Sequence, residues 1–231
     1  MIESYTLHSR QRELVAPALQ RARILVYGTG MLGSWTAIAL ARITEYVEVW
    51  DGGDMVEDVN LGTQAYSDAD VGRPKGDSLC NKLLGFNVMA VDKLFPPVNY
   101  RPKASYFALQ GQSLPDVVIA CADSMDARRN GEAWAFGHSV PLFIDTRARG
   151  LEATILTVTM AEHNRYSIEL PSDDAIEPVP CGQNGTAFVG MFVAARVASI
   201  LNCYFRDGIG SIPYQESWNV ERNVPINIVY R

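Results

Sequence analysis

The segment RILVYGTGMLGSWTAIALARI, Arg23 to Ile43, decides the fold. An apolar, β-rich run, RILVY, stops at glycines, and MLGSWTAIALARI then shows helical spacing and good helix formers. Gly28, Gly30 and Gly33 carry the spacing G-x-G-x-x-G. In such a turn the first glycine permits a tight bend. The second lets backbone approach a phosphate, and the third lets the helix pack on the strand. The start of the following helix favours negative charge. A second strand, YVEVW at 46–50, ends at Asp51, 18 residues beyond Gly33, where a ribose-binding acid belongs. Strand, glycine turn, helix, strand and acid read together as a nucleotide site, with Met31 and Leu32 completing the loop. The bland alternative is a strand–helix turn without a ligand, and the glycines alone do not separate NAD from ATP.

Working outward, residues 9–22 read as a helix, and 52–73 as a polar loop. Residues 75–87 read as a second helix after the glycine turn. DVVIACADS, 116–124, is a buried parallel-type strand, followed by a helix over 125–138 and a strand over 141–145. LEATILTVTM, 151–160, alternates as a half-exposed strand. Residues 161–180 read as a long functional loop, 185–205 as a strongly apolar helix, and the tail as extended. This alternation predicts an α/β fold: a Rossmann-like, mostly parallel sheet with helices on both faces and antiparallel strands added in the C-terminal part. In such sheets the ligand sits beyond the carboxyl ends of the strands, where the glycine turn, Asp51 and Asp123 all fall.

Composition narrows the function. At 48% hydrophobic and 20% charged residues the chain is ordinary for a soluble globular protein. A formal charge of −6 offers no general nucleic-acid surface. No apolar run is expected to reach the roughly 20 residues of a membrane span, and the first residues lack a signal-peptide core, so a cytoplasmic location is expected. The four cysteines, Cys80, Cys121, Cys181 and Cys203, form no C-x-x-C pair, and the three histidines do not cluster, so no zinc is expected.

The segment after Asp51 chooses among nucleotides. Asn60, Gln64 and Lys75 follow in a loop over the same crevice, and Lys75 at a helix start places a point charge where a triphosphate could sit. The pieces GTGMLGS (28–34), Asp51, DMVEDVNLGTQ (54–64), DVGRPK (70–75) and CADSMDAR (121–128) occur in order. PLFIDTRARGLEATILTV and CGQNGTAFVGMFVAARVASIL follow. In this combination the chain resembles the ThiF/MoeB/HesA-type adenylating enzymes, relatives of ubiquitin-activating enzymes, over roughly residues 9–205.

The resemblance implies a single adenylation domain over 1–231, with a nucleotide-binding part at 23–145 and strands, crossover loop and C-terminal helix at 146–231. It implies that the Gly28–Gly33 loop binds ATP, that Asp51 holds the ribose, and that Asn60, Gln64 and Lys75 face the nucleotide. It implies Asp123 as the Mg²⁺ ligand, with Arg128 supporting it. Cys181, after the long loop, matches the cysteine that becomes linked to the carrier in sulfur-transferring members. A helix N-terminus would favour its thiolate, the alternative being an ordinary loop cysteine. Cys80, Cys121 and Cys203 read as core residues. The family arginine of Asn-Leu-x-Arg-Gln is replaced by Thr63, with Arg73 the nearest substitute in sequence. Arg10, or alternatively Arg12, matches the arginine that the family supplies from a partner subunit, which implies a homodimer.

The implied reaction is ATP-dependent adenylation of a carboxylate with release of pyrophosphate. The implied substrate is the C-terminus of a ubiquitin-like or sulfur-carrier protein ending in Gly-Gly. Three alternatives stand beside it: adenylation of a small-molecule, peptide or tRNA-borne carboxylate; a non-catalytic nucleotide-binding subunit; and an NAD-dependent oxidoreductase.

Overall fold

The structure is a computed structural model and describes residues 9–11, 13–86, 89–94, 114–175 and 185–231. Its frame is an eight-stranded sheet in the order β3-β2-β1-β4-β5-β6-β7-β8. The strands are β1 (Arg23–Tyr27), β2 (Tyr46–Asp51), β3 (Met89–Leu94), β4 (Val117–Ala120), β5 (Leu142–Arg149), β6 (Glu152–Val158), β7 (Gln215–Asn219) and β8 (Val224–Val229). The first five in spatial order are parallel and the last three pair antiparallel. This is the Rossmann-like sheet with antiparallel additions that the alternation predicts.

Strand order reverses at β1. The chain moves from β1 out to β2 and β3, then returns to β4 on the other side of β1. Such a switch opens a crevice at the carboxyl ends, which is where ligands bind in this architecture. Register aligns Trp50, Tyr27, Ala120 and Asp145 across the sheet. Asp51, Gly28, Cys121 and Thr146 therefore form the rim of the crevice.

The helices are α1 (Pro17–Arg21), α2 (Met31–Leu40), α3 (Lys75–Leu84), α4 (Met125–Gly137), α5 (His163–Glu169) and α6 (Ala187–Asp207). They pack on both faces. Ile24 and Val26 point into a core shared with Leu40, Leu79 and Val193, while Leu25 and Tyr27 point into one shared with Phe143 and Tyr166. Burial on both faces explains why RILVY is apolar throughout rather than alternating. Gly190 brings α6 against α2, since a Cβ there would lie 2.6 Å from Trp35 Cδ1 and 3.1 Å from the Met31 carbonyl oxygen.

Four expectations change. Residues 9–22 are not one helix: a 3₁₀ turn, Ser9–Gln11, precedes the short α1, because Pro17 forces Ala16 into an extended ψ of 129° and starts a new helix. The loop over 161–180 contains α5, whose one buried residue, Tyr166, leaves no apolar stripe to read. β3 went unread because its backbone lies at the sheet edge in a short, charge-interrupted segment, MAVDKL. Finally, α6, with 21 residues, is long and apolar enough to cross a membrane by length and composition. Its buried Val189, Val193, Val197 and Leu201 instead join the core beside α2, so the composition serves packing.

Candidate active site

The glycine turn is fixed by close approach. Gly28 has φ of +87°, donates its N–H to the Trp50 carbonyl at 2.8 Å, and lies so near β4 that a Cβ would sit 2.9 Å from the Cys121 carbonyl. At Gly33 a Cβ would fall 1.8 Å from the Gly28 oxygen. Gly30 differs, because nothing lies within 4 Å of the position a Cβ would take. Gly30 is the N-cap of α2, no side chain caps that helix, and its first turn has no acid. The first N–H groups of a helix have no intrahelical acceptor. The turn therefore presents donors and a positive dipole end to an open space, the arrangement that holds a phosphate.

Asp51 is buried beside this turn. One carboxylate oxygen accepts the Thr29 hydroxyl at 2.5 Å, and the other accepts the N–H groups of Gly53 at 2.9 Å and Asp54 at 3.2 Å. These bonds aim the carboxylate at the β2 end, next to the glycine loop, as a ribose acceptor requires. Tyr66, which sequence reasoning missed, ties two walls together: its hydroxyl lies 2.8 Å from the Thr29 carbonyl and 3.3 Å from that of Lys75.

Lys75 is the first residue of α3, and its side chain is only 12% exposed. Its ammonium lies 3.6 Å from the carboxylate of well-exposed Asp54, a loose pair. A cation at a helix N-terminus opposes the macrodipole, so helix and lysine both favour an anion here.

The Asn60–Gln64 segment is fastened to α2. Trp35 Nε1 donates to the Thr63 carbonyl at 2.9 Å, and Ser34 Oγ accepts the Ala65 N–H at 3.0 Å. Asn60 uses its carboxamide oxygen to accept the Glu57 N–H at 2.9 Å, closing a 3₁₀ turn. Gln64 Oε1 is buried with no hydrogen-bond partner, an acceptor awaiting a donor. Arg73, the sequence candidate to replace the family arginine, has an exposed side chain.

On the other side of β1, Asp123 lies exposed just beyond β4. Among the described residues no three His, Cys, Asp or Glu side chains gather as a metal cluster. Magnesium asks for less, since one or two carboxylates, substrate phosphates and water suffice. Arg128 is buried in α4. Its guanidinium donates to the Asp145 carboxylate, to the Thr146 carbonyl at 2.8 Å, and to the Ala122 carbonyl. It therefore braces the Asp123 segment from beneath, as a positioning residue. Asp145, fully buried, also takes Arg147 Nε at 2.7 Å and the Tyr166 hydroxyl at 3.0 Å. Burial and the neighbouring carboxylate keep that tyrosine protonated.

The segment before the crossover is held by Asp173, whose carboxylate accepts the Met125 N–H at 2.6 Å and the Asp126 N–H at 3.2 Å. Arg129 adds bonds to the Leu170 and Pro171 carbonyls, both at 2.8 Å. Cys181 lies outside the described residues. Gly185, four residues on, rests against Met31 of the glycine turn, where a Cβ would be 2.7 Å from the methionine methyl. Burial pushes the Cys121 thiol up to about 11, against a hydrogen bond from Thr146, so Cys121 is an inert core residue. Cys80 is also buried, while Cys203 is half-buried.

Arg10 is exposed, and its neighbour Gln11 donates to the Arg42 carbonyl, beyond the far end of α2. That helix is roughly 15 Å long, so Arg10 lies well away from its own chain's glycine turn. Arg12 lies outside the described residues.

With this geometry in view, comparisons with known proteins agree. A family model described as the ThiF family matches residues 8–212. No curated protein sequence matches the chain. Solved structures do. PaaA has a TM-score of 0.69 at 17% identity, covering 97% of this chain and 82% of its own. E. coli MccB with ATP has a TM-score of 0.69 at 16% identity, covering 100% and 73%. MccB with N-formylated MccA, described as a microcin C7 biosynthetic enzyme, has a TM-score of 0.70 at 15% identity, covering 98% and 72%. At such identities these structures establish the fold.

Proposed function

The chain belongs to the ThiF family, an adenylyltransferase family whose chemistry is ATP-dependent activation of a carboxylate, and we propose that its substrate is the C-terminal carboxylate of a small ubiquitin-like or sulfur-carrier protein. The observation that carries the ATP reading is the pairing of the uncapped α2 terminus with nearly buried Lys75 in one crevice. The ATP-bound MccB neighbour supports the same nucleotide.

In this reading Asp51 accepts the ribose hydroxyls, the N–H groups of Met31, Leu32 and Gly33 receive phosphate oxygens, and Lys75 pairs with the triphosphate. Gln64 turns its unpartnered oxygen towards the nucleotide, and Asn60 faces the phosphates with its free amide group. Asp123 would hold Mg²⁺ with phosphate oxygens, and the ion would offset the charge of two approaching anions. A carboxylate oxygen attacks the α-phosphorus, the bond to the bridging oxygen breaks, and pyrophosphate leaves. The acyl carbon, bound to the good leaving group AMP, is then open to attack. A Cys181 thiolate attacking it would form a thioester and release AMP. Arg10, placed away from its own crevice, reaches an active site in a homodimer by entering that of the partner subunit.

The test is ATP–pyrophosphate exchange with a panel of substrates. Exchange that depends on a small protein ending in Gly-Gly is the expected result. Exchange with a small acid or peptide alone would replace this substrate class. Tight ATP binding with no exchange on any substrate would make the chain a non-catalytic subunit. If Cys181→Ala keeps both adenylation and downstream transfer, the covalent step is discarded.

A further inference from the structure

The strand ends form a sequence of chemical stations. From one side to the other they offer Asp51 after β2, the glycine turn after β1, Asp123 after β4 and, on the next strand, the end of β5. If ribose and phosphates occupy the first stations and the metal the third, the group to be joined to phosphate belongs at the fourth.

At that station charge does not balance. Asp145 is 0% exposed and bonds two guanidinium groups, Arg128 and Arg147, leaving one positive charge in excess. Among the described residues no second carboxylate pairs with either arginine. The two arginines differ in freedom. Arg128 is buried, with both Nη groups on Asp145, Thr146 and Ala122 and only its enclosed Nε without a partner. Arg147 bonds Asp145 through Nε and Nη2 and keeps a quarter of its side chain exposed, at 25%. Register pairs Asp145 with Ala120, the last residue of β4, so Arg147 lies beyond the end of β4, on the strand next to the one that Asp123 follows. An excess buried charge is costly unless something offsets it. A guanidinium clamped by one carboxylate still presents N–H donors in the planar fork that matches a second one.

We propose that Arg147 is the residue that receives the free carboxylate of the acyl substrate and holds it beside the α-phosphate. This rests on the adenylation reading above. The cations then divide the work: Lys75, on the β2 side, serves the triphosphate, and Arg147, on the β5 side, serves the nucleophile. Asp145 orients Arg147 and Tyr166 orients Asp145. The pairing lowers the repulsion between carboxylate and phosphate without moving a proton, since a guanidinium does not give one up.

Calorimetric titration of the full chain, saturated with Mg²⁺ and AMPCPP, whose α,β-methylene bridge blocks loss of pyrophosphate, tests this with glycylglycine as the carboxylate probe and glycylglycinamide as its uncharged control. The expected result is binding of glycylglycine but not of the amide. In Arg147→Met, dipeptide affinity falls at least about tenfold, some 1.4 kcal/mol, while AMPCPP affinity holds and Tm falls less than in Arg128→Met, because Asp145 keeps Arg128 and Tyr166. Arg147→Lys restores part of the loss. Three results overturn the proposal: no glycylglycine binding to the wild type, equal binding in Arg147→Met, or a loss of AMPCPP affinity in that variant. Failure of the wild type to bind AMPCPP at all would strike the adenylation reading instead.

Discussion

Helices α2 and α4 both start at the carboxyl edge of the sheet, and their first turns are in opposite states. At α4 the donors are satisfied from within: Ser124 Oγ accepts the Ala127 N–H at 3.1 Å, and Asp173 accepts those of Met125 and Asp126. At α2 the N-cap is a glycine, no side chain accepts, and no acid sits in the first turn. The same backbone problem is thus solved by the protein at one helix and left for a ligand at the other. This contrast is the reason for proposing the anion site at α2, with the α4 side as a scaffold for Asp123 and Arg147.

Variants can break that contrast. The largest effect belongs to the scaffold: Arg128→Met strands Asp145 with fewer partners and should cost about 3–5 kcal/mol in chemical denaturation. Asp123→Ala should leave Tm nearly unchanged yet lower pyrophosphate exchange by roughly 100-fold or more, as loss of an electrostatic stabiliser does; retained exchange would remove the magnesium assignment. Gly30→Ala sharpens the α2 side. A Cβ there meets nothing, so stability should hold while ATP affinity drops by about tenfold, the worth of one impaired charge-assisted hydrogen bond. A matching Tm loss would show that Gly30 serves the fold alone. The smallest effect is at the α4 cap, where Asp173→Ala should cost about 1 kcal/mol and leave ATP affinity in place.

What the sequence made legible was local. RILVY, the glycine turn and the α2 segment announce themselves because strand, turn and helix lie side by side in the chain, and Lys75 stood out as a cation at a helix start. What stayed hidden was made of distant partners. Asp173 caps a helix 47 and 48 residues away, and Asp145 meets Arg128 and Tyr166 across 17 and 21 residues. Tyr66 reads as one more aromatic until its hydroxyl is seen between Thr29 and Lys75. Within PLFIDTRARG, Arg147 is visible as a charged residue near a strand end, but the excess charge around Asp145 exists only in the folded chain.

The central claim is that the α2 turn is an ATP cradle rather than a dinucleotide site, and calorimetric competition tests it most directly. With Mg²⁺ present, the wild type should bind ATP but not NAD⁺, and Gly30→Ala should weaken ATP binding at unchanged Tm. NAD⁺ binding in the absence of ATP binding would contradict the account.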